Sequence, residues 1–267
     1  MTHEEFYATR VPDWSIPDKE KGVVSAADAR FFLGLRLLYY SLRNRVQVTL
    51  FDLGLEPPQR AWCENQGVDL RPNPVSPDIT VPTWQAWNKP YYIAASPYKY
   101  TLWLDSDTMV VDNLGPLFDA IGAGPGPLLL LHPAWADFQW YEPKLLTIFP
   151  LPKPASDNHR INNGVLGFKK GRDADASLLA LWSFMVDRCI KDPEIRAMVH
   201  WWDEGCINWA IPAADLEWTI TPARGWNKMI MQRGGACESE FFDLVRADAG
   251  DVILHFAGHP KLWQTWR

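Results

Sequence analysis

Two carboxylates, Asp105 and Asp107, stand two residues apart directly after the apolar run Leu102-Trp103-Leu104, and Met109-Val110-Val111 follows them. An apolar run of this kind suits a strand covered on both faces at the centre of a parallel sheet. Unpaired carboxylates cannot sit against such a core, because burying each without a partner costs several kcal/mol. They need a cation, a set of donors or water. At the carboxyl edge of an open α/β sheet, where ligands bind, the chemistry to expect is a divalent metal with a phosphate. Oxygen ligands suit Mg²⁺, Mn²⁺ or Ca²⁺, and an added imidazole tilts the choice toward Mn²⁺. His255 is the candidate imidazole, since it too follows an apolar strand, Val252-Ile253-Leu254. Behind it, Gly258 lets backbone approach a ligand and Lys261 lies within reach of a phosphate.

The elements that must position these residues read as alternating strands and helices. Strands are expected at 22–25, 46–51 and 68–70, and helices at 30–43 and 57–66, the second opened by Pro57-Pro58. The loop from Ser25 to Asp28 is the first βα turn, a usual source of nucleotide contacts, although Asp28 equally suits a helix N-cap. A Trp-rich helical stretch from 83 to 95, with Pro90 as a kink or restart, leads to the Asp105 strand. Further on, strands are expected at 128–131, 162–168 and 252–255, and helices at 174–191 and 204–211. The aperiodic stretch 134–158 reads as a long loop over the substrate. This alternation predicts one α/β domain with a parallel sheet built from right-handed crossovers. Its first hundred residues read as a nucleotide-binding half of the doubly wound type.

With 267 residues and 47% hydrophobic content the chain can bury a large core. Net charge is −6, which gives no electrostatic case for a nucleic-acid partner. The four cysteines (63, 189, 206 and 237) show no CxxC spacing, so free thiols in a reducing compartment are expected rather than a zinc site. No stretch reaches the length of a transmembrane segment, and the first residues carry no signal-peptide pattern. The expected localisation is cytoplasmic. Core and surface packing accounts for most of the fifteen Trp residues, and a few are expected to stack on sugar or base faces.

Taken together, the motifs resemble those of a known family. Asp105-Ser106-Asp107 resembles the DxD motif of GT-A glycosyltransferases, and His255-x-x-Gly258-x-x-Lys261-x-Trp263 resembles the HxxGxxKPW motif of glycosyltransferase family eight, with Leu262 where that motif has proline. This is the family of glycogenin and bacterial galactosyltransferases. Asn162-Asn163-Gly164-Val165 and Asp203-Glu204-Gly205-Cys206-Ile207-Asn208 resemble two further segments of it, in the right order. Lys89 matches a basic residue before the DxD motif that contacts donor phosphates.

The resemblance implies a single GT-A domain, α/β with one Rossmann-like mixed sheet flanked by helices, in which about 20–115 would form the nucleotide-sugar-binding half and about 116–267 the acceptor-binding half. It further implies a retaining, Mn²⁺-dependent (or Mg²⁺-dependent) hexosyltransferase using a nucleotide sugar, most often a UDP-hexose, and a carbohydrate or other hydroxyl acceptor. Asp105, Asp107 and His255 would bind the metal. Lys89 and Lys261 would offset phosphate charge, while Ser25, Asp28, Ser106 and Gly258 would line the donor site. Asn162, Asn163 and Gly164 would line the sugar pocket, with Arg160 near them, and Asp203 and Glu204 would stand at the reacting centre. The family usually has Gln where this chain has Glu204, which leaves a nucleophile and an acceptor-holding group both open. Two other readings compete. A haloacid-dehalogenase-like phosphohydrolase also opens its site with Asp-x-Asp, but its later Gly-Asp-x-x-x-Asp segment would put a second Asp where His255 stands. A non-catalytic sugar-binding protein on the same fold would tolerate loss of Asp105, Asp107 or His255, and all are present.

Overall fold

The computed structural model describes residues 20–75, 85–131, 140–151, 161–215, 217, 219–222, 225–229 and 250–256. Its centre is a seven-stranded sheet of order β3-β2-β1-β4-β7-β6-β8. The strands are β1 Lys21–Ala27, β2 Gln47–Asp52, β3 Asp69–Pro72, β4 Tyr100–Leu104, β6 Leu128–Leu131, β7 Ile161–Lys169 and β8 Thr219–Pro222. All run the same way except β7, which is antiparallel to both β4 and β6. A smaller three-stranded sheet joins β5 (Thr108–Val110), β10 (Ile253–His255) and β9 (Lys228–Met229). The strand expected at 252–255 therefore belongs to this second sheet. It reaches the Asp105 edge by pairing antiparallel with β5, His255 opposite Thr108.

Both faces of the main sheet are covered, as the unbroken apolar runs require. Along β4, Leu102 and Leu104 point to one core and Trp103 to the other, the period-two alternation of a strand. The first core packs α1 (Phe32–Leu42) and α4 (Gly115–Ala123) with β5 and β10, and Trp62 of α2 (Pro57–Asn65) lies against it. The second packs α3 (Lys89–Ala94), α6 (Asp173–Lys191) and α8 (Asp203–Ala214). At Gly167 an added Cβ would lie 2.4 Å from Ile121, so β7 and α4 approach closely only because that residue is Gly.

Most expected elements appear within a residue or two of where the sequence puts them. Two readings are corrected. The sheet is mixed rather than wholly parallel, because β7 is reversed. Strand β1 runs on through Ala27, so Ser25 lies inside it and the loop shrinks to Asp28. The restart expected at Pro90 is present: a 3-10 turn at Gln85–Asn88 gives way to α3, with Pro90 in the first turn, where its missing N–H costs nothing. Strands β5, β8 and β9 and two short helices, α5 (Leu145–Ile148) and α7 (Pro193–Ala197), were not expected.

Candidate active site

The carboxyl ends of β1 to β4 share one edge, and Asp105 stands just beyond β4 on it. The reversal of β7 brings its first residues to that same edge, since Leu104 pairs with Val165 and the Asp105 N–H donates to the Gly164 carbonyl at 2.9 Å. Had β7 been parallel, Asn162 and Asn163 would lie at the far end of the sheet. Ligand atoms of Asp105, Asp107 and His255 lie within 4.8 Å of one another. The turn carrying the two aspartates is fixed by Thr108, whose N–H and hydroxyl both donate to the Asp105 carbonyl, at 3.1 and 2.7 Å. The Phe256 N–H donates to the Asp107 carbonyl at 2.9 Å, and His255 Nε2 is 3.3 Å from Asp107 Oδ1. Two carboxylates and one imidazole form an O,O,N donor set that fits Mn²⁺ better than Ca²⁺.

Gly164 is why the imidazole fits. A Cβ there would lie 2.3 Å from His255 Cε1, so the ring approaches the backbone more closely than any side chain at 164 would allow.

A second cluster adjoins the first. Lys89 Nζ is buried and meets Asp105 Oδ1 at 2.9 Å, Asn163 Oδ1 at 2.9 Å and Asp203 Oδ2 at 3.3 Å. Burial alone would favour its neutral form, but the charges of Asp105 and Asp203 outweigh that and hold the ammonium above its ordinary range. Asn163 Nδ2 also donates to Asp203 Oδ2 at 2.5 Å. Trp182 Nε1 donates to the Asp203 carbonyl at 2.9 Å, which pins the start of α8 to α6. Burial raises the Asp203 carboxyl above its usual range, with Lys89 opposing. Glu204 is pushed up to about 8, first by burial and then by the charge of Asp203. Asn162 Nδ2 donates to Glu204 Oε1 at 2.9 Å. Asn208 ties α8 to the first residue of β7, accepting from the Ile161 N–H and donating to the Ile161 carbonyl, both at 2.9 Å.

Before α8, Trp201 and Trp202 have φ of 57° and 54°, a region that large side chains avoid at a cost of about 1–3 kcal/mol each. The turn is held because Gly205 lets the His200 carbonyl come close, where a Cβ would lie 2.1 Å from it. Both indoles remain exposed, at 47% and 38%.

The structure thus brings together Lys89, Asp105, Asp107, Asn162, Asn163, Gly164, Asp203, Glu204 and His255. Ser106 is buried beside them. Ser25 is buried within β1, its hydroxyl without a hydrogen-bond partner among the described residues. Asp28 serves as the N-cap, accepting from the Arg30 and Phe31 N–H groups and pairing with the Arg30 guanidinium. Arg160, Gly258, Lys261 and most of 134–158 lie outside the described residues. Sequence reasoning missed Asn227, which is buried and bridges Asn162 Oδ1 at 2.8 Å and His255 Nδ1 at 3.1 Å.

No family model and no curated protein matches the chain. Solved structures do. A glutamine-to-glutamate active-site mutant of LgtC superposes with a TM-score of 0.58 at 18% identity, covering 91% of this chain and 89% of that one. The galactosyltransferase LgtC in complex with donor and acceptor sugar analogs gives 0.55 at 16% identity, covering 90% and 88%. The apo glycosyltransferase GlyE of Streptococcus pneumoniae gives 0.57 at 14% identity, with 92% of this chain matched to 56% of that one. No described helix is long and apolar enough to cross a membrane. At these identities the likeness speaks for architecture: the chain has the GT-A glycosyltransferase fold.

Proposed function

We propose that this chain is a metal-dependent, retaining glycosyltransferase that moves a hexose from a nucleotide sugar, UDP-hexose first among them, to an acceptor hydroxyl. The observation that carries the reading is the O,O,N set of Asp105, Asp107 and His255 at the sheet edge, with Asp203 and Glu204 next to it. Breaking the anomeric C–O bond leaves negative charge on the diphosphate and positive charge on the sugar ring. A Mn²⁺ or Mg²⁺ ion held by Asp105, Asp107 and His255 would supply Lewis-acid stabilisation of the diphosphate. The residues themselves do the rest. Lys89, engaged by Asp105, Asn163 and Asp203, orients both carboxylates rather than serving as a free phosphate ligand. Asp203 faces the developing positive charge, as carboxylates do in glycoside hydrolysis.

Glu204 takes the acceptor-holding part. A carboxyl whose pKa is raised to about 8 keeps its proton at neutral pH, so it is a poor nucleophile and a good donor. Exposed and strained, Trp201 and Trp202 at the start of the same helix suit the apolar face of an acceptor sugar. Ser25, Asp28, Ser106, Gly258 and Lys261 complete the donor site in this reading. The phosphohydrolase alternative is less favoured, because His255 stands where its later segment needs a second carboxylate and lies 3.3 Å from Asp107 Oδ1. Unbonded thiols at Cys189 and Cys206, with Sγ atoms 3.7 Å apart, favour a reducing, cytoplasmic setting.

Calorimetric titration of UDP in Mn²⁺, in Mg²⁺ and in EDTA tests this reading. Binding that needs the metal and vanishes in Asp107→Ala is expected. Equal binding in EDTA would sink the metal bridge.

A further inference from the structure

Asn227 belongs to no motif, yet it sits between the two clusters. It lies one residue before β9, in a turn fixed from several sides. Gly225 has φ of 84°, and an added Cβ would lie 2.4 Å from the Gly250 carbonyl oxygen. The Val252 and Ile253 N–H groups both donate to the Gly225 carbonyl, and Lys228 is paired with Asp251 at 2.7 Å. β9 then runs parallel to β10, with His255 opposite Met229. The result is one buried amide aimed at the imidazole.

The direction of every hydrogen bond along this path follows from one backbone group. The Gly164 N–H can only donate, and the atom it meets at 3.1 Å must therefore be an oxygen, Asn162 Oδ1. That leaves Asn162 Nδ2 to face Glu204 Oε1 at 2.9 Å. The Asn227 atom 2.8 Å from Asn162 Oδ1 must in turn be a donor, its Nδ2. Asn227 Oδ1 then faces His255 Nδ1 at 3.1 Å and accepts, which requires a proton on Nδ1.

We infer that Asn227 is a positioning residue that fixes His255 as the Nδ1–H tautomer, leaving the Nε2 lone pair directed at the metal, and that Asn162 fixes Asn227 in turn. The metal's place at Nε2 rests on the function proposed above; the tautomer does not. A histidine that ligates a metal commonly donates its other ring N–H to a carboxylate, carbonyl or water, and such partners are worth about 10–100-fold in metal affinity. Here an amide takes that part. Without it, Asp107 Oδ1, 3.3 Å from Nε2, would draw the proton to the ligating nitrogen.

Nitrogen-15 NMR of the imidazoles in metal-free protein, with the ring neutral and His255 assigned by its absence in His255→Gln, reads the tautomer directly. The wild type is expected to show Nδ1–H. Asn227→Ala, and Asn162→Ala, which removes no hydrogen bond to His255 itself, are expected to shift it toward Nε2–H. Asn227→Asp, still an acceptor, should restore Nδ1–H. A wild-type ring protonated at Nε2, or survival of Nδ1–H in either alanine variant, overturns the relay. Should alanine at 227 disrupt the turn, near-isosteric Asn227→Leu removes both amide atoms and carries the same reading. A parallel titration with Mn²⁺ alone, followed by EPR, is expected to show affinity about 10-fold or more weaker in Asn227→Ala and recovered in Asn227→Asp. If the wild type holds the Nδ1–H tautomer but binds no Mn²⁺, the relay stands and the proposed function falls. If Mn²⁺ binds and the tautomer does not respond, the reverse holds.

Discussion

Asp105 and Asp107 share a turn at the end of a strand, with an imidazole within reach and the side chain of Asp105 24% exposed. Asp203 and Glu204, at the start of α8, are closed in by β7 and α6 and lean on a single ammonium. The two pairs are chemically alike and lie side by side, joined through Lys89. What separates them is the counter-charge each can recruit. The first pair, with His255, forms the proposed cation site: ligand atoms of the three lie within 4.8 Å of one another, and Lys89 meets Asp105 at 2.9 Å. The second has its cation built in, and Lys89 cannot serve both members, since it reaches Asp203 while Glu204 is left with the amide of Asn162. Burial then resolves the second pair by protonation, and Glu204 keeps its proton to about 8. Environment, not residue type, assigns the roles.

The comparison breaks most visibly at the first pair. Asp107→Ala should weaken Mn²⁺-supported UDP binding by more than about 100-fold, exceeding the usual effect of a residue that only orients a ligand. Calorimetry checks it. Lys89→Ala should strike both pairs, since it leaves Asp203 buried beside Asp105 with no counter-ion. A loss of about 3–5 kcal/mol in urea unfolding is expected, and Asp203→Asn added to it should restore part. Gly164→Ala sharpens the comparison by pressing chiefly on the imidazole, with Asn162 Oδ1 next at 3.0 Å from the added Cβ. Overpacking against His255 should cost about 1–3 kcal/mol and lower Mn²⁺ affinity more than it disturbs the Lys89 cluster.

Glu204→Gln is the mildest. Unfolded, Glu204 gives up its proton near 4.5, and folded it does so near 8. Within that window the native state binds the extra proton, so this residue increasingly destabilises the fold as pH rises, up to a plateau above about 8. The Gln variant should match the wild type in acid. Above pH 8 it should exceed it by on the order of 1–3 kcal/mol, the partial exposure of the side chain reducing the effect. Thermal melts across pH decide it, and a gain that does not depend on pH would contradict a raised carboxyl.

Much of this site is legible in the sequence because its residues sit at element ends. Asp105 and His255 follow apolar runs, Asn162 and Asn163 precede one, and Asp203 opens a helix. The direction of β7 is not legible. Its residues are buried on both faces from Ile161 through Phe168, and a strand without inside–outside alternation reads the same whichever way it is laid. Strand β5 was hidden for a related reason, being only three residues that continue an apolar stretch. Asn227 gave no signal. It stands beside a two-residue strand in a stretch with no periodicity, and its importance comes from what the turn at Gly225 aims it at.

The pairing of β10 with β5 carries a consequence for how the molecule is made. β1 to β4 and their helices form a local, parallel unit from the first hundred or so residues, and contacts so close in sequence form early. The proposed metal site cannot close then, because Thr108 must wait for His255, which lies far later in the sequence. Until it does, two carboxylates at the tip of β4 repel each other with no imidazole beside them. The proposed activity should therefore emerge only once β10 has been made, and a chain stopped after β7 should collapse into a compact body that binds no metal.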